Sequence, residues 1–212
     1  MIFSLASLSA HNLEQSVNSE DRSPDNVARD IYRHPYETLS FFGIKPDMTV
    51  VELNPGGGWY TEILANYIHY PGTLITAQGS YYFEGFEKKM NSNPMYGRVE
   101  IVNLNSNLAE PNSVDAVITF RNLHNWLGAD MDSIFRSSFK ALKPGGSFGV
   151  VEHRAKPGTD FETMKTSGYV TEDHAIEVAL KHGFELVEKS EINANPKDTK
   201  DHAKGVWTLP PT

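Results

Sequence analysis

Thr49-Val50-Val51-Glu52-Leu53-Asn54-Pro55-Gly56-Gly57-Gly58-Trp59-Tyr60-Thr61-Glu62-Ile63-Leu64 reads as a buried strand, a glycine turn and the start of a helix. Thr49–Leu53 is short, apolar and β-branched, as a parallel strand covered on both faces requires. The glycines then stop it. From Tyr60 the apolar residues recur at Ile63, Leu64, Tyr67 and Ile68, the spacing of an amphipathic helix. Gly56 and Gly58 have no Cβ, so backbone can approach a ligand closely there, and the free N–H groups of the helix start point the same way. The stretch describes a nucleotide-type site, with the Glu52 carboxylate at the strand end just ahead of the glycines.

Upstream, Pro35 suits a first helical turn, Leu39 and Phe42 share a face, and Gly43 ends a short helix. Tyr32, Arg33 and His34 cluster ahead of it and read either as a group that closes over a ligand or as a solvated arm. Residues 1–30 are expected to be a flexible or loosely docked arm, and 31–212 a single domain. Met1–Leu13 is mildly apolar without a basic n-region and reads as a tail, with a degenerate export signal as the alternative.

Downstream, Thr73–Ala77 is a second strand ending at Gln78, Tyr81–Met90 a helix, and Val99–Asn103 a third strand. Val114–Phe120 is a fourth strand that runs straight into Arg121-Asn122-Leu123-His124-Asn125-Trp126. A helix capped at Asp130 follows, then Lys143-Pro144-Gly145-Gly146 and a fifth strand over Ser147–Val151. Thr171 caps a further helix with Ala175, Ile176, Ala179 and Leu180 inside and Gly183 as its stop. Glu185–Ile192 reads as a sixth strand, and Gly205–Leu209 as a minimal candidate for a seventh. Such alternation predicts an α/β, doubly wound, mostly parallel sheet, because parallel strands need helical crossovers. In such sheets ligands bind beyond the carboxyl ends of the strands.

The 212 residues carry a net charge of −8, with 19 Lys and Arg and no basic cluster, so a nucleic-acid or anionic-membrane footprint is not expected. The absence of cysteine excludes disulfides, thiolate nucleophiles and cysteine-held metals. No apolar run approaches the roughly 20 residues of a membrane helix, so a soluble protein is expected. Nothing in the sequence sets an oligomeric state.

Glu52-x-Asn54-x-Gly56-x-Gly58 resembles motif I of the class I S-adenosylmethionine-dependent methyltransferases, usually acidic-x-Gly-x-Gly-x-Gly, with Asn54 in place of the first glycine. Asn is the non-glycine residue that most readily takes positive φ. More narrowly, Tyr32–Pro35, Glu52–Glu62, Arg121–Trp126 and Glu152–Ala155 resemble the Y-R-H-P, E-x-x-P-G-G-G-W-Y-T-E, R-N-x-H-N-W and E-H-R-A motifs of a bacterial group of predicted methyltransferases. The resemblance covers about residues 35–192.

The resemblance implies a Rossmann-like fold and S-adenosylmethionine as cofactor; the family usually closes its sheet with an antiparallel seventh strand, for which this chain offers at most Gly205–Leu209. It implies that Glu52, Asn54, Pro55, Gly56, Gly57, Gly58, Tyr60, Gln78, Asn105, Arg121 and Asn122 hold that cofactor. Gln78 stands where the family usually has an acid on the ribose hydroxyls, so Gln78→Glu is expected to preserve or strengthen binding. Asn105 or Ser106 falls either at the adenine amino group or in a turn. His124, His153 and Arg121 are the catalytic candidates, with a small-molecule acceptor and a cytoplasmic setting, an exported form being the alternative. Two other functions compete: a nicotinamide-dependent oxidoreductase, which would need a glycine where Thr61 stands and an acid where Gln78 stands, and a non-catalytic S-adenosylmethionine-binding or partner domain.

Overall fold

The computed structural model describes residues 12–209. Five parallel strands form one sheet: β1 Thr49–Leu53, β2 Thr73–Gln78, β3 Val99–Asn103, β4 Val114–Phe120 and β5 Leu142–Val151, in the order β3-β2-β1-β4-β5. Helices α1 Leu13–Val17, α2 Pro24–Val27, α3 Asp30–Arg33 and α4 Pro35–Phe41 precede the sheet. Helices α5 Trp59–Tyr67, α6 Phe83–Met90 and α7 Ala129–Ala141 make the crossovers, and α8 Phe161–Ser167 and α9 Glu172–Lys181 follow.

Alternation along β1 shows why both faces are covered. Val51 and Leu53 face one apolar cluster with Met131, Ile134 and Phe135 of α7, while Val50 faces another with Leu39, Ile63 and Leu64 from α4 and α5. The strand order reverses between β1 and β4. A crevice opens there beyond the strand carboxyl ends, where the glycine turn lies.

Five strands form where six or seven were expected. Residues 185–192 make no strand: Val187 is 94% exposed and Leu186 54%. A period of two would put Leu186, Glu188, Ser190 and Ile192 on one face and Glu185, Val187, Lys189 and Glu191 on the other, so neither face is apolar. The charges form ion pairs instead, Glu191 with Arg154 and Lys189 with Glu172. With no sixth strand to cover, α9 buries no residue fully, and Leu180, expected inside, is exposed. Gly205–Thr208 is a single 3-10 turn, its Val206 packed on Ala155 and Tyr169.

Smaller departures are local. The α7 N-cap is Gly128, with Asp130 inside the first turn. Strand β5 starts at Leu142, and its register against β4 jumps between Val114 and Ala116, so Lys143–Gly146 form an irregular lead-in.

From residue 12 the N-terminal arm is helical and docked. Asn12 and Gln15 make a capping box, Leu13 and Val17 are buried, and the Arg22 guanidinium holds Asp30 with two hydrogen bonds of 2.7 and 2.8 Å. Ser23 Oγ donates to Glu62 at 2.6 Å, and Trp59 Nε1 donates to the Asn26 carbonyl at 2.8 Å, tying the arm to α5. The expectation about an export signal concerns Met1–Leu13, of which residues 1–11 lie outside those described. Among the described residues no helix is long and apolar enough to cross a membrane.

Candidate active site

The glycine turn takes the backbone its sequence requires. Asn54, Gly56 and Gly58 have φ of 48°, 59° and 77°, so Asn54 occupies the left-handed region in the glycine's place. Its side chain does what glycine could not. Asn54 Oδ1 accepts from Gly79 N at 3.2 Å, and Nδ2 donates to Asn122 Oδ1 at 2.9 Å. Asn122 Nδ2 in turn lies 3.2 Å from the Asn54 carbonyl and 3.0 Å from Thr119 Oγ1. This amide pair clamps the ends of β1, β2 and β4 around the crevice, a role no motif announced.

The carbonyls of the turn are pinned from behind. Gln78 Nε2 donates to Gly56 O at 2.8 Å, and Lys89 Nζ donates to Gly57 O at 2.7 Å while pairing with Glu62. A Cβ built on Gly56 or Gly57 would meet nothing within 4 Å, so open space lies against the turn at the N-terminus of α5. The turn, the helix start and a nearby carboxylate fit a zwitterionic nucleotide cofactor.

Gln78 differs from its expected role. It is fully buried, and its other amide atom, Oε1, accepts from Gly79 N, so both ends serve the loop rather than reaching into the crevice. A Gln78→Glu carboxylate would face the Gly56 carbonyl and repel it, which reverses the expectation from sequence. Asn105 sits in an exposed turn after β3, its N–H on Asn103 Oδ1 at 2.9 Å, away from the residues lining the cleft.

That cleft, a small cavity of about 40 Å³, is lined by Arg33, Glu52, Leu53, Asn54, Pro55, Trp59, Tyr60, Phe120, Arg121 and Asn122. Glu52 is buried and accepts from Thr61 Oγ1 at 2.6 Å. Burial pushes its carboxyl up to about 7, only partly opposed by Thr61 and Lys89. Tyr60 stacks on Phe120 with ring centroids 3.5 Å apart and donates to the Arg33 carbonyl at 3.2 Å, and burial lifts its phenol to about 12. Of the Tyr32-Arg33-His34 group, Arg33 turns inward while Tyr32 is exposed.

Neither histidine is among the residues that line the cleft. His124, on the 3-10 turn Leu123–Asn125, has Nδ1 3.0 Å from Glu152 Oε1 and its backbone N–H 3.3 Å from Oε2. Glu152 Oε1 also accepts from His153 N at 2.7 Å. The His153 ring lies 6.0 Å from that of His124 and 6.1 Å from that of Tyr169. Burial holds His153 down near 4, with Arg121 and His124 adding to the depression and Glu152 opposing it, so it is neutral at pH 7. Arg121, with φ of 60°, leaves β4 to line the cleft. Glu152 lies in the stretch resembling E-H-R-A, and Lys89 had no sequence signal beyond its place in the helix expected over Tyr81–Met90. Among the described residues no group of His, Asp and Glu is set to hold a metal.

A glycine turn on β1, a buried carboxylate and a reversal of strand order define a protein that binds a nucleotide-like cofactor at the switch point of a parallel sheet. Residues 51–150, just under half of the chain, match the family described as "Methyltransferase domain", and this match together with the fold supports an S-adenosylmethionine-dependent methyltransferase. Its fold is similar to that of an S-adenosylmethionine-dependent methyltransferase from Aquifex aeolicus, at 17% identity and a TM-score of 0.63 over 84% of this chain and 91% of that one. It is also similar to a geranyl diphosphate methyltransferase in complex with GPP and sinefungin (12%, 0.56, over 71% and 59%) and to the cyclase SpnF (18%, 0.59, over 83% and 70%). At these identities the likeness is one of fold. No curated protein matches the chain.

Proposed function

We propose that the protein methylates an oxygen or nitrogen nucleophile of a small molecule, with His124 as the general base. The observation that carries this reading is the 3.0 Å contact of His124 Nδ1 with Glu152 at the carboxyl ends of β4 and β5. A proton on Nδ1 donated to Glu152 leaves Nε2 as the acceptor and fixes the ring, as in other base–orienter pairs. S-adenosylmethionine supplies an activated methyl on a sulfonium that departs as a neutral thioether.

The chain's part is to align the nucleophile, exclude water and take one proton. Glu52, the Gly56–Gly58 turn and the start of α5 would hold the cofactor, and the Asn54–Asn122 clamp keeps the strand ends in register beneath it. His124 Nε2 accepts the proton that leaves the nucleophile as its electron pair bonds to the methyl carbon. His153, depressed to about 4, is too weakly basic at pH 7 to share this role. Reliance on a cytoplasmic metabolite favours a cytoplasmic setting. The test is release of S-adenosylhomocysteine in the presence of a panel of small phenols, amines and carboxylic acids. Turnover that is lost in His124→Ala supports the reading, and turnover unchanged in that variant refutes the role of His124.

A further inference from the structure

Two arginines line the cleft, and a third, Arg29, lies close enough for its charge to act on both. The lining pair is Arg33 and Arg121, and among the described residues the buried Arg29 Nε has no hydrogen-bond partner. Arg33 is only 8% exposed, and its guanidinium carbon sits 4.6 Å over the face of Trp59. Among the described residues none of the three makes an ion pair, although the chain as a whole carries a charge of −8. Residues 1–11 contain no Asp or Glu to serve them.

The carboxylates nearby are committed elsewhere. Asp30 is held by Arg22, Glu152 by His124 and the His153 amide, and Glu52 by Thr61. Buried cations are normally paired, because desolvation without a counter-charge is expensive. Burial first, then the neighbouring Arg121 and Arg29, bring Arg33 down to about 9, with Tyr60 and Asp30 opposing the shift.

We propose that Arg33 and Arg121, with Arg29 close by, form an anion site that takes a carboxylate or phosphate group of the methyl acceptor. This rests on the methyl-transfer reading for the word acceptor, though the site's chemistry stands on the arginines alone. The cofactor's own carboxylate is the other possible source of the anion. Against it stands the charge count: S-adenosylmethionine adds a sulfonium and an ammonium along with its single carboxylate, so it raises rather than neutralises the positive charge of the cleft. An anionic acceptor neutralises it. Planar guanidinium forks match either oxyanion in bidentate geometry.

The test uses the full chain saturated with S-adenosylhomocysteine and titrated with benzoate, and separately with inorganic phosphate, by calorimetry. The site predicts binding of at least one anion in the presence of S-adenosylhomocysteine. Arg33→Met and Arg121→Met should each weaken it by roughly 10-fold or more, the effect of losing one charged hydrogen bond. The exposed Arg136→Met should change nothing. Because each buried substitution removes an unpaired charge, both variants should fold at least as well as the parent, which thermal unfolding reports. Anion binding that S-adenosylhomocysteine abolishes, together with weakened S-adenosylhomocysteine binding in Arg33→Met, would assign the arginines to the cofactor's carboxylate and overturn the proposal. Absence of anion binding to the parent, or equal binding to all variants, would also overturn it. If S-adenosylhomocysteine itself does not bind, the methyl-transfer reading fails, while arginine-dependent benzoate binding would still support the anion site.

Discussion

Glu52 is the residue whose perturbation has the best-defined consequence. Its carboxyl is fully buried, supported among the described residues by one hydrogen bond from Thr61 and by the more distant Lys89, and burial raises it from 4.5 to about 7. The folded state therefore keeps a proton that the unfolded state releases as pH climbs through 4.5. Stability contributed at this position falls as pH rises from about 4.5 to about 7 and is level above that. The full loss is on the order of 3 kcal/mol, from roughly 1.4 kcal/mol for each pH unit between the two values. Glu52→Gln keeps the shape and an acceptor for Thr61 but cannot ionise. At pH 4 the variant and parent should unfold within about 1 kcal/mol of each other, and at pH 8 the variant should be the more stable, by roughly 6–12 °C for a chain of this size. Thermal unfolding followed by circular dichroism at both pH values is the assay. The same variant should bind S-adenosylmethionine more weakly, since a cationic ligand prefers the carboxylate. An equal stability difference at pH 4 and pH 8 would refute the reasoning, because it would mean Glu52 ionises in the fold as freely as in water.

His124→Ala should cut turnover by roughly 10²–10⁴-fold, the usual contribution of a positioned acid–base group, while leaving cofactor affinity nearly intact. A parallel loss of cofactor affinity would mark His124 as a binding residue instead. Gln78→Glu should weaken S-adenosylmethionine binding by turning a carboxylate onto the Gly56 carbonyl, with a loss of about 1–3 kcal/mol for the broken buried hydrogen bond. Unchanged or tighter binding in a titration would show that the Gln78 side chain reaches the crevice after all. Leu13→Ala should destabilise the protein by about 2–5 kcal/mol in urea unfolding, as for other buried leucines. A change under about 0.5 kcal/mol, the surface-residue range, would show that the arm contributes nothing to the core.

What the sequence made legible was what periodicity and backbone conformation decide locally. The strand at Thr49–Leu53, the turn at Gly56–Gly58 and the helix over Tyr60–Tyr67 lie where their patterns put them, and Asn54 takes the positive φ its residue type permits. The sixth strand was misread because Glu185–Ile192 has β-compatible residues but no face that a sheet could bury. The N-terminal arm, expected as flexible or loosely docked, takes the docked form. Leu13 and Val17 are too few for a periodic signal, and the arm's attachment depends on Ser23 reaching Glu62 and Asn26 reaching Trp59, pairs more than 30 residues apart. Residue types in the site were legible but orientations were not. Gln78 turns back to the glycine turn, and Arg33 turns in toward Trp59, because tertiary packing rather than local pattern sets where a long side chain points.

Parallel calorimetric titrations of the parent protein and Gly56→Val with S-adenosylmethionine, S-adenosylhomocysteine and NADH test the central claim most directly. A valine at Gly56 fills the open space against the turn and strains a backbone at φ 59°, so it acts where the cofactor is placed. The account predicts saturable binding of both sulfur compounds to the parent, none of NADH, and strongly weakened binding to Gly56→Val. Binding of NADH but not S-adenosylmethionine, or undiminished binding of S-adenosylmethionine to Gly56→Val, would contradict it.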